Sequence, residues 1–354
     1  MSAHFAPGCL QVLGTGSVLP GPPIDNDTLL SALKQCAGPA MARKARFIAR
    51  QLGIESRHLS RRLDQDISVP EPDAPSLCVT ALERAARQAE LPLDALQYLI
   101  GHTATPHTLV PPNLAWVAER LQFKQPYMEL RQACTGFANS LQIAAAMLAS
   151  GSVSGQMAIV GSEVGSVYFR MQQEFIDQQQ LINYVQMGDG AGAIILAAAR
   201  PGQRHVISDM YMGHIGSDRE PGFYLEGGGS GAVYCEHGLP RFRHNANAVR
   251  EQGADLYLAG LQAISDRGYR LDDFAYILPH QANGHLAKLL GDHLQIDTSR
   301  FVVDADRVGN LGSAAIWLSF DRLRRSERLT PGDRVLVLGA EATKYLYGGF
   351  VYQH

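Results

Sequence analysis

Three residues in separate parts of the chain have side chains suited to nucleophilic and proton-transfer chemistry: Cys134, His280 and Asn310. Cys134 lies in ELRQACTGFANSLQ, where a predicted strand is followed by a predicted helix rich in small residues. The unpaired N–H groups of a helix N-terminus stabilise a thiolate and lower its pKa from about 8.5. We therefore predict that Cys134 is a nucleophile. The alternative, a buried structural cysteine, is our interpretation of the other four cysteines.

His280 and Asn310 each follow a predicted strand or turn and each has an alternative interpretation. The imidazole of His280, after the apolar run FAYILP, can carry a proton or donate a hydrogen bond. His102 has nearly the same local setting after LQYLI, so a structural role stays open for both histidines. Asn310, in VGNLGSAA, offers an amide that donates without titrating, which suits a developing enolate oxygen. It is also a good helix N-cap, and the two roles are compatible.

Short apolar runs alternate with helical patterns along the chain. MAIVG at 157–161, AGAIILA at 191–197, FAYILP at 274–279 and RVLVLGA at 334–340 are typical of buried strands. This alternation predicts an α/β fold. Between 198 and 245 the pattern weakens and glycine, proline and serine accumulate, which predicts loops. We accordingly divide the chain into halves at 1–200 and 201–354.

A faint internal repeat relates the two halves. Three pairs of landmarks recur in the same order: His102 with His280, Cys134 with Asn310, and Glu163 with Glu341. Their offsets are 178, 176 and 178 residues. We infer a duplicated α/β unit, because matched landmarks at nearly constant offset indicate repetition. Its pseudo-symmetry would bring the starts of the Cys134 and Asn310 helices together near the middle of the molecule.

Composition excludes several classes of protein. The 354 residues are 46% hydrophobic, which is enough for a large core. The net charge of −3 gives no electrostatic reason to expect nucleic acid as a partner. No export signal and no apolar run long enough to span a membrane are visible. Five cysteines, at positions 9, 36, 78, 134 and 235, are odd in number and scattered, so they predict a reducing cytoplasm rather than a disulfide framework.

Two glycine clusters and one Cys/His pair do not predict cofactor or metal binding. MGDGAGA at 187–193 and EGGGSGA at 226–232 lack the strand and helix context of a dinucleotide site, so we predict tight turns. Cys235 and His237 are isolated from other metal-ligating residues, and no metal is predicted. YGGF at 347–350 follows a predicted strand and could present a backbone N–H to the same cleft as Cys134.

These motifs together resemble the β-ketoacyl-acyl-carrier-protein synthase III group of thiolase-fold enzymes, nearly end to end. The resemblance is carried by LGTGSVLP at 13–20, ARQLGIESRH at 49–58, ACTGF, MGDGAGA, PHQAN, GNLGSAA and YGGF. It implies a Cys134–His280–Asn310 catalytic set in a homodimer of five-layer αβαβα subunits, a duplicated thiolase fold without metal or redox cofactor.

The resemblance also implies a reaction. Cys134 would attack an acyl thioester of coenzyme A or acyl carrier protein, with the backbone N–H groups of Cys134 and Gly348 holding the oxyanion. His280 and Asn310 would then polarise a malonyl-type thioester. Loss of carbon dioxide leaves a carbanion that attacks the acyl-cysteine and gives a β-ketoacyl thioester.

The chain departs from the family at its predicted substrate contacts. Phe47 and Gln51 stand where members primed by acetyl-coenzyme A usually have a Trp and an Arg. Leu109 or Val110 replaces a bulky aromatic residue in the region after TAT. Both changes favour a pathway-specific paralogue, in fatty-acid or secondary-metabolite synthesis, that takes a longer acyl group from a carrier protein.

Four basic residues are predicted to dock the carrier protein, although a solvated face explains them equally well: Arg241, Arg243, Arg250 and Lys288. A type III polyketide synthase is disfavoured because YGGF replaces its GFGPG-like ending. Acyl transfer to a hydroxyl or amine, and head-to-head condensation of two acyl chains, are alternatives on the same three residues. A non-catalytic partner subunit of a condensing heterodimer would be expected to lack the nucleophile.

Overall fold

A large mixed sheet runs through the computed structural model, which describes residues 3–231 and 238–354. Cys235 and His237 lie outside the described residues. The strands are β1 His4–Phe5, β2 Leu10–Val18, β3 Ile24–Asp25, β4 Ser56–Arg57, β5 Leu96–His102, β6 Tyr127–Leu130, β7 Gln156–Glu163, β8 Gly190–Ala198, β9 Val206–His214, β10 Phe223–Glu226, β11 Arg241–His244, β12 Tyr276–Pro279, β13 Arg334–Glu341 and β14 Leu346–Gln353. The helices are α1 Asn26–Leu52, α2 Ala74–Gln88, α3 Asn113–Leu121, α4 Gly136–Ala149, α5 Gln178–Gln186, α6 Ala246–Asp266, α7 Leu286–Leu294, α8 Ala305–Val308 and α9 Ala315–Arg325.

The two halves of the sheet repeat the same topology. The first half has the order β6-β5-β7-β8-β2, and the second has β12-β13-β14-β9, with Phe301 bridging β12 in the position of a further strand. In each half the pair β5/β7 or β12/β13 is parallel and the next two pairings are antiparallel. This identity of order and direction confirms the α/β fold and the duplicated unit. The predicted division at residue 200 falls between β8 and β9.

The two halves contact each other in two ways: two of their strands pair directly, and two helices pack between their sheets. Leu10 and Gln11 of β2 pair with Ile207 and Val206 of β9, so the sheets of the two halves form one continuous sheet, from which the pairs β3/β4 and β10/β11 are separate. Helix α4 contacts strands of both halves, as does α9, whereas α2 packs on the first half and α6 on the second. The layer order is therefore helix, sheet, central helices, sheet, helix.

The central helix α4 is rich in small residues because it lies between the two sheet halves. A Cβ on Gly348 of β14 would stand 2.8 Å from the Cβ of Ala138 in α4, which leaves room for neither to be larger. Further along, Phe137 packs edge-on against Trp317 of α9 and Phe350 of β14. The apolar face that α4 buries on both sides is what fixes the start of this helix, and with it the loop that carries Cys134.

Helix α1 is kinked. Gly38 has φ 83°, a left-handed conformation that favours glycine, and Pro39 follows it at a position where a helix tolerates proline. The second segment, 39–52, ends at Gly53, whose φ of 61° caps the helix. Residues 39–52 thus form a separate helical segment, and the Leu52 carbonyl at its end accepts the Gly284 N–H at 2.8 Å.

The prediction of loops between 198 and 245 is wrong in part. β9 is an interior strand of the sheet, and β10 and β11 form a separate antiparallel pair. Ser208 and Asp209 interrupt the apolar pattern of β9, and Asp209 has φ 48° beside an irregularity in the pairing with β14. The sequence of β9 therefore lacks the regular alternation on which strand prediction depends.

Candidate active site

Cys134 lies in the loop between β6 and α4, two residues before α4 begins at Gly136. Part of its surface is accessible, which a nucleophile requires. The next residue, Thr135, is fully buried and donates both its backbone N–H and its hydroxyl to one carboxylate oxygen of Glu341, at 2.9 and 2.8 Å. The cysteine loop is therefore anchored to the end of β13, a strand of the other half.

A carboxylate of the first half makes the corresponding contact with a loop of the second half. Glu163, at the end of β7, accepts the backbone N–H and the hydroxyl of Ser313, at 3.1 and 2.9 Å. Ser313 lies in the turn that leads from Asn310 into α9. Thr135 and Ser313 are 178 residues apart, the offset of Glu163 and Glu341. The repeat therefore equates Cys134 with Gly312, and the offset of 176 predicted for Cys134 and Asn310 is shifted by two residues.

The surroundings of Cys134 raise the pKa of its thiol well above the ordinary value. Burial by the protein is the largest cause, followed by the negative charges of Glu341 and Glu163. The prediction that the helix N-terminus lowers this pKa is wrong in its net direction. A desolvated site with two carboxylates outweighs the partial charge of one helix end, so the resting thiol is protonated near neutral pH.

We expect alkylation of Cys134 by iodoacetamide to keep rising with pH through 9, because the thiolate fraction is still incomplete there. Peptide-resolved mass spectrometry would measure the rate at Cys134 separately from the exposed Cys9. A rate that reaches its plateau by neutral pH would contradict the raised pKa.

Substitution of the carboxylates tests the cause of this shift. Glu341→Gln keeps an acceptor oxygen for Thr135 but removes the charge, so the alkylation profile should move to lower pH. Glu163→Gln should move it less, since Glu163 is the weaker of the two influences. An unchanged profile in both variants would leave burial alone as the cause.

His280 follows β12 and is almost completely buried. Its backbone N–H donates to the Leu338 carbonyl at 2.7 Å, and its own carbonyl accepts the Tyr257 hydroxyl at 2.6 Å. Burial lowers the pKa of the imidazole to about 4, so the ring is neutral at pH 7. Nδ1 has no hydrogen-bond partner among the described residues. A neutral, unengaged imidazole can accept a proton or bind a polar group of a ligand.

His102, the counterpart of His280 in the repeat, has a structural environment. Its Nε2 accepts a hydrogen bond from Trp317 Nε1 at 2.8 Å, and the ring packs where a Cβ on Gly136 or Gly161 would stand. Burial lowers the pKa of His102 to about 3. His102 is therefore a neutral, hydrogen-bonded residue of the layer formed by α4 and α9, and we assign it a structural role.

Asn310 precedes the turn into α9 and is held at both ends of its backbone. Its N–H donates to the Gln186 carbonyl at 2.7 Å, and its carbonyl accepts the Gly188 N–H at 3.0 Å. The side-chain Oδ1 accepts the Gly312 N–H at 3.0 Å, which resembles the predicted capping role. Because Oδ1 is engaged, the NH₂ group is the end of the amide that remains for a ligand.

Hydrogen bonds tie together the loops that carry Cys134, His280 and Asn310. Gln186, which binds Asn310, also donates from Nε2 to the Ala282 carbonyl at 2.8 Å, two residues after His280. The Ser313 hydroxyl donates to the carbonyl of Gln132 at 3.3 Å, two residues before Cys134. Tyr257, which binds His280, has its pKa raised by burial and by the nearby Cys134. The structure thus brings the three predicted loops to one region between the halves.

Gly348 is not placed as the oxyanion prediction requires. It lies inside β14 between two neighbouring strands, with Gly339 of β13 and Met212 of β9 as register partners. Because N–H groups of an interior strand point at the adjacent strands, this N–H belongs to the sheet ladder. The turn 342–345 after β13 is better placed, since the Thr343 hydroxyl and Thr135 share the Glu341 carboxylate.

The predicted substrate contacts lie in two places. Phe47 and Gln51 are exposed on the last turns of α1. Leu109 and Val110 are 61% and 87% exposed in the loop before α3, so within this chain they do not line a buried acyl pocket. That loop contains consecutive prolines and runs over the surface, which sequence pattern alone does not disclose.

Two of the four predicted docking residues, Arg241 and Arg243, make contacts within the chain that leave them poorly suited to bind a carrier protein. Arg241 is buried, with its guanidinium 4.3 Å from the ring centre of Phe175, so it cannot dock a partner. Arg243 forms ion pairs with Glu226 at 2.5 Å and Asp177 at 3.7 Å.

The other two docking residues are exposed but bonded. Arg250 donates to Asn247 at 2.7 Å, and Lys288 on α7 forms an ion pair with Asp292 at 2.5 Å. Each thus has a local partner that explains its charge without a carrier protein.

The described residues hold neither a metal-ligating cluster nor a membrane-spanning helix. No group of three or more His, Cys, Asp and Glu side chains in 3–231 and 238–354 could hold a metal ion. No helix in the same part of the chain is long and apolar enough to cross a membrane.

Several site residues were not predicted. Glu163 and Glu341 were predicted only as landmarks of the repeat, and no role was predicted for Thr135, Ser313 or Tyr257. The fixed offset of 178 residues was a usable signal for the first four, because it pairs two hydroxyl residues with two carboxylates. Tyr257 lies in the middle of α6 and gives no comparable signal.

Two regions of the chain match one protein family. Residues 128–214 match 3-oxoacyl-(acyl-carrier-protein) synthase III, and residues 264–353 match its C-terminal part. A β-ketoacyl-(acyl-carrier-protein) synthase III of Desulfitobacterium hafniense is 28% identical over 337 residues, which cover 93% of each chain.

Solved structures of similar shape agree. A tetronic acid condensing enzyme superposes with a TM-score of 0.82 at 25% identity, over 98% of this chain and 100% of that one. The priming β-ketosynthase of a polyketide biosynthetic pathway superposes with a TM-score of 0.79 at 25% identity, over 98% and 97% of the two chains.

Proposed function

Because the chain belongs to the 3-oxoacyl-(acyl-carrier-protein) synthase III family and is an acyl-condensing enzyme of the thiolase fold, we propose that Cys134 carries the acyl group. His280 and Asn310 then promote decarboxylative condensation with a malonyl-type thioester. The observation that carries the proposal is the crossed pair of carboxylate contacts, Thr135 to Glu341 and Ser313 to Glu163. These contacts hold the loops of Cys134 and Asn310 against opposite halves.

Acylation begins from a protonated thiol. As the sulfur attacks the thioester carbonyl, its proton passes to the neutral ring of His280. The carbonyl oxygen becomes an oxyanion, which the Cys134 N–H binds together with a second N–H from the turn 342–345. The carbon–sulfur bond of the donor breaks, and the departing thiolate takes the proton from His280. The products are acyl-Cys134 and the free thiol of the donor.

Condensation uses the other two side chains. The thioester carbonyl of the malonyl group accepts hydrogen bonds from His280 and from the NH₂ group of Asn310. As carbon dioxide leaves, its bonding electrons form an enolate whose oxygen these donors stabilise. The enolate carbon attacks acyl-Cys134, the carbon–sulfur bond breaks, and the departing thiolate takes a proton from water to restore the thiol. A β-ketoacyl thioester is released.

We propose that carrier proteins deliver both thioesters and that no metal or redox cofactor takes part. A cytoplasmic homodimer is consistent with the scattered cysteines and with Leu109 and Val110, since a second copy would cover this exposed apolar pair. The departures at Phe47 and Gln51 favour an acyl carrier protein over coenzyme A as the donor.

A condensation assay tests the proposal. The enzyme is mixed with short, medium and long acyl thioesters of acyl carrier protein or coenzyme A, together with malonyl-acyl carrier protein labelled in its free carboxyl group. We expect labelled carbon dioxide and a β-ketoacyl product lengthened by two carbons with at least one donor. Transfer to a hydroxyl or amine without carbon dioxide, head-to-head products, or an inert protein would contradict it.

A further inference from the structure

The second segment of α1 carries a basic face that the reaction steps above do not use. Arg43, Arg46, Phe47 and Arg50 follow the spacing i, i+3, i+4, i+7, so they share one side of the helix. All four are exposed, and Phe47 is 65% exposed. Lys44 adjoins them and is exposed too.

This charge is concentrated and unpaired. Between residues 28 and 54 the chain has five basic residues and no acidic one, although its overall net charge is −3. Arg43, Lys44, Arg46 and Arg50 form no ion pair with a described residue, in contrast to Arg243 and Lys288. An unneutralised cluster of this kind attracts an acidic partner.

The basic face stands beside the loops of the candidate active site. The Leu52 carbonyl accepts the Gly284 N–H at 2.8 Å, and the Arg50 carbonyl contacts His285 Nε2 at 3.1 Å. Both partners lie shortly after His280. The Glu55 N–H donates to the Asp306 carbonyl at 2.7 Å, four residues before Asn310. A molecule bound on this face would therefore lie close to the loops that hold His280 and Asn310.

We propose that the face formed by Arg43, Lys44, Arg46, Phe47 and Arg50 docks the acidic surface of the carrier protein that delivers the thioesters. This inference rests on the proposed function. The cations extend over two helical turns, about 10 Å, which matches an extended row of carboxylates better than a single phosphate group. Phe47 adds one apolar contact among them. The apolar residues Ala45 and Ala49 are buried, so the helix has little to insert into a membrane.

Charge reversal tests the docking surface. In the triple variant Arg43→Glu, Arg46→Glu, Arg50→Glu, we expect kcat/KM for an acyl-acyl carrier protein to fall by about tenfold or more at low salt, with most of the loss in KM. The same acyl group on N-acetylcysteamine, which has no carrier surface, should react at the wild-type rate. The control triple Arg87→Glu, Arg200→Glu, Arg204→Glu changes the net charge by the same amount. Arg200 and Arg204 lie between β8 and β9, at the end of β8 that is opposite to Glu163 and the candidate active site.

The outcomes separate the docking surface from the chemistry. Equal losses for both thioesters, or equal losses in both triple variants, would overturn the proposed surface. The proposed surface would also be overturned if the Arg43/Arg46/Arg50 triple variant kept its KM for the carrier-protein substrate but no longer bound vesicles containing phosphatidylglycerol. That result would assign the face to a membrane. If wild type does not react with the N-acetylcysteamine thioester or any carrier thioester, the proposed function fails instead.

Discussion

We expect Cys134→Ala to abolish acyl-enzyme formation while carbon dioxide is still released from malonyl-acyl carrier protein. The acyl group needs the sulfur of Cys134, since the thioester that carries it between the two steps is formed there. Decarboxylation requires donors to the malonyl carbonyl, and these come from His280 and Asn310, which the substitution does not touch. Overall condensation should fall by about 10³-fold or more. Intact-protein mass spectrometry and trapping of labelled carbon dioxide measure the two activities separately.

The matched control is Cys9→Ala, which removes an exposed thiol far along the chain from the predicted site. It should acylate and condense as wild type does. An acyl adduct that persists in Cys134→Ala would assign the nucleophile to another residue. Loss of carbon dioxide release in that variant would show that Cys134 also acts in decarboxylation, or that its loop does not hold without the thiol.

The repeat made the fold predictable, because duplicated landmarks constrain topology even where individual strands are weakly marked. His102 and His280 lie at equivalent strand ends, and Glu163 and Glu341 end equivalent strands. The pairing of Cys134 with Asn310 was two residues out of register, since the helix starts share only small residues. The contacts of Thr135 and Ser313 with the opposite carboxylates define the register in space.

Long-range surroundings account for the predictions that are wrong. The helix N-terminus next to Cys134 is visible in the sequence, whereas Glu341 is 207 positions further along and the burial of the loop depends on both halves. Arg241 likewise looks like a solvated charge in the sequence. Its position over Phe175 results from the packing of β11 beside the segment before α5, which no local pattern encodes.

Because Asn310 is proposed to act only in decarboxylation and condensation, its substitution should cause a different defect from that of Cys134. Asn310→Asp keeps an oxygen for the Gly312 N–H but replaces the NH₂ donor by a charged oxygen. We expect acylation of Cys134 by an acyl thioester to continue, while carbon dioxide release falls by about 10²- to 10³-fold, the range for loss of one oxyanion donor. Single-turnover acylation and steady-state decarboxylation, measured on the same preparation, provide the comparison.

Three further variants make this result interpretable. Asn310→Ala also removes the donor but adds no charge near Cys134, so a defect common to both variants belongs to the missing NH₂ group. Asn247→Asp makes the same chemical change on an exposed turn of α6 and should leave both steps unchanged. His280→Ala should lower both steps, because the ring takes the thiol proton in the first and donates to the malonyl carbonyl in the second. If Asn310→Ala loses acylation as fully as decarboxylation, then Asn310 supports the cysteine loop rather than the enolate.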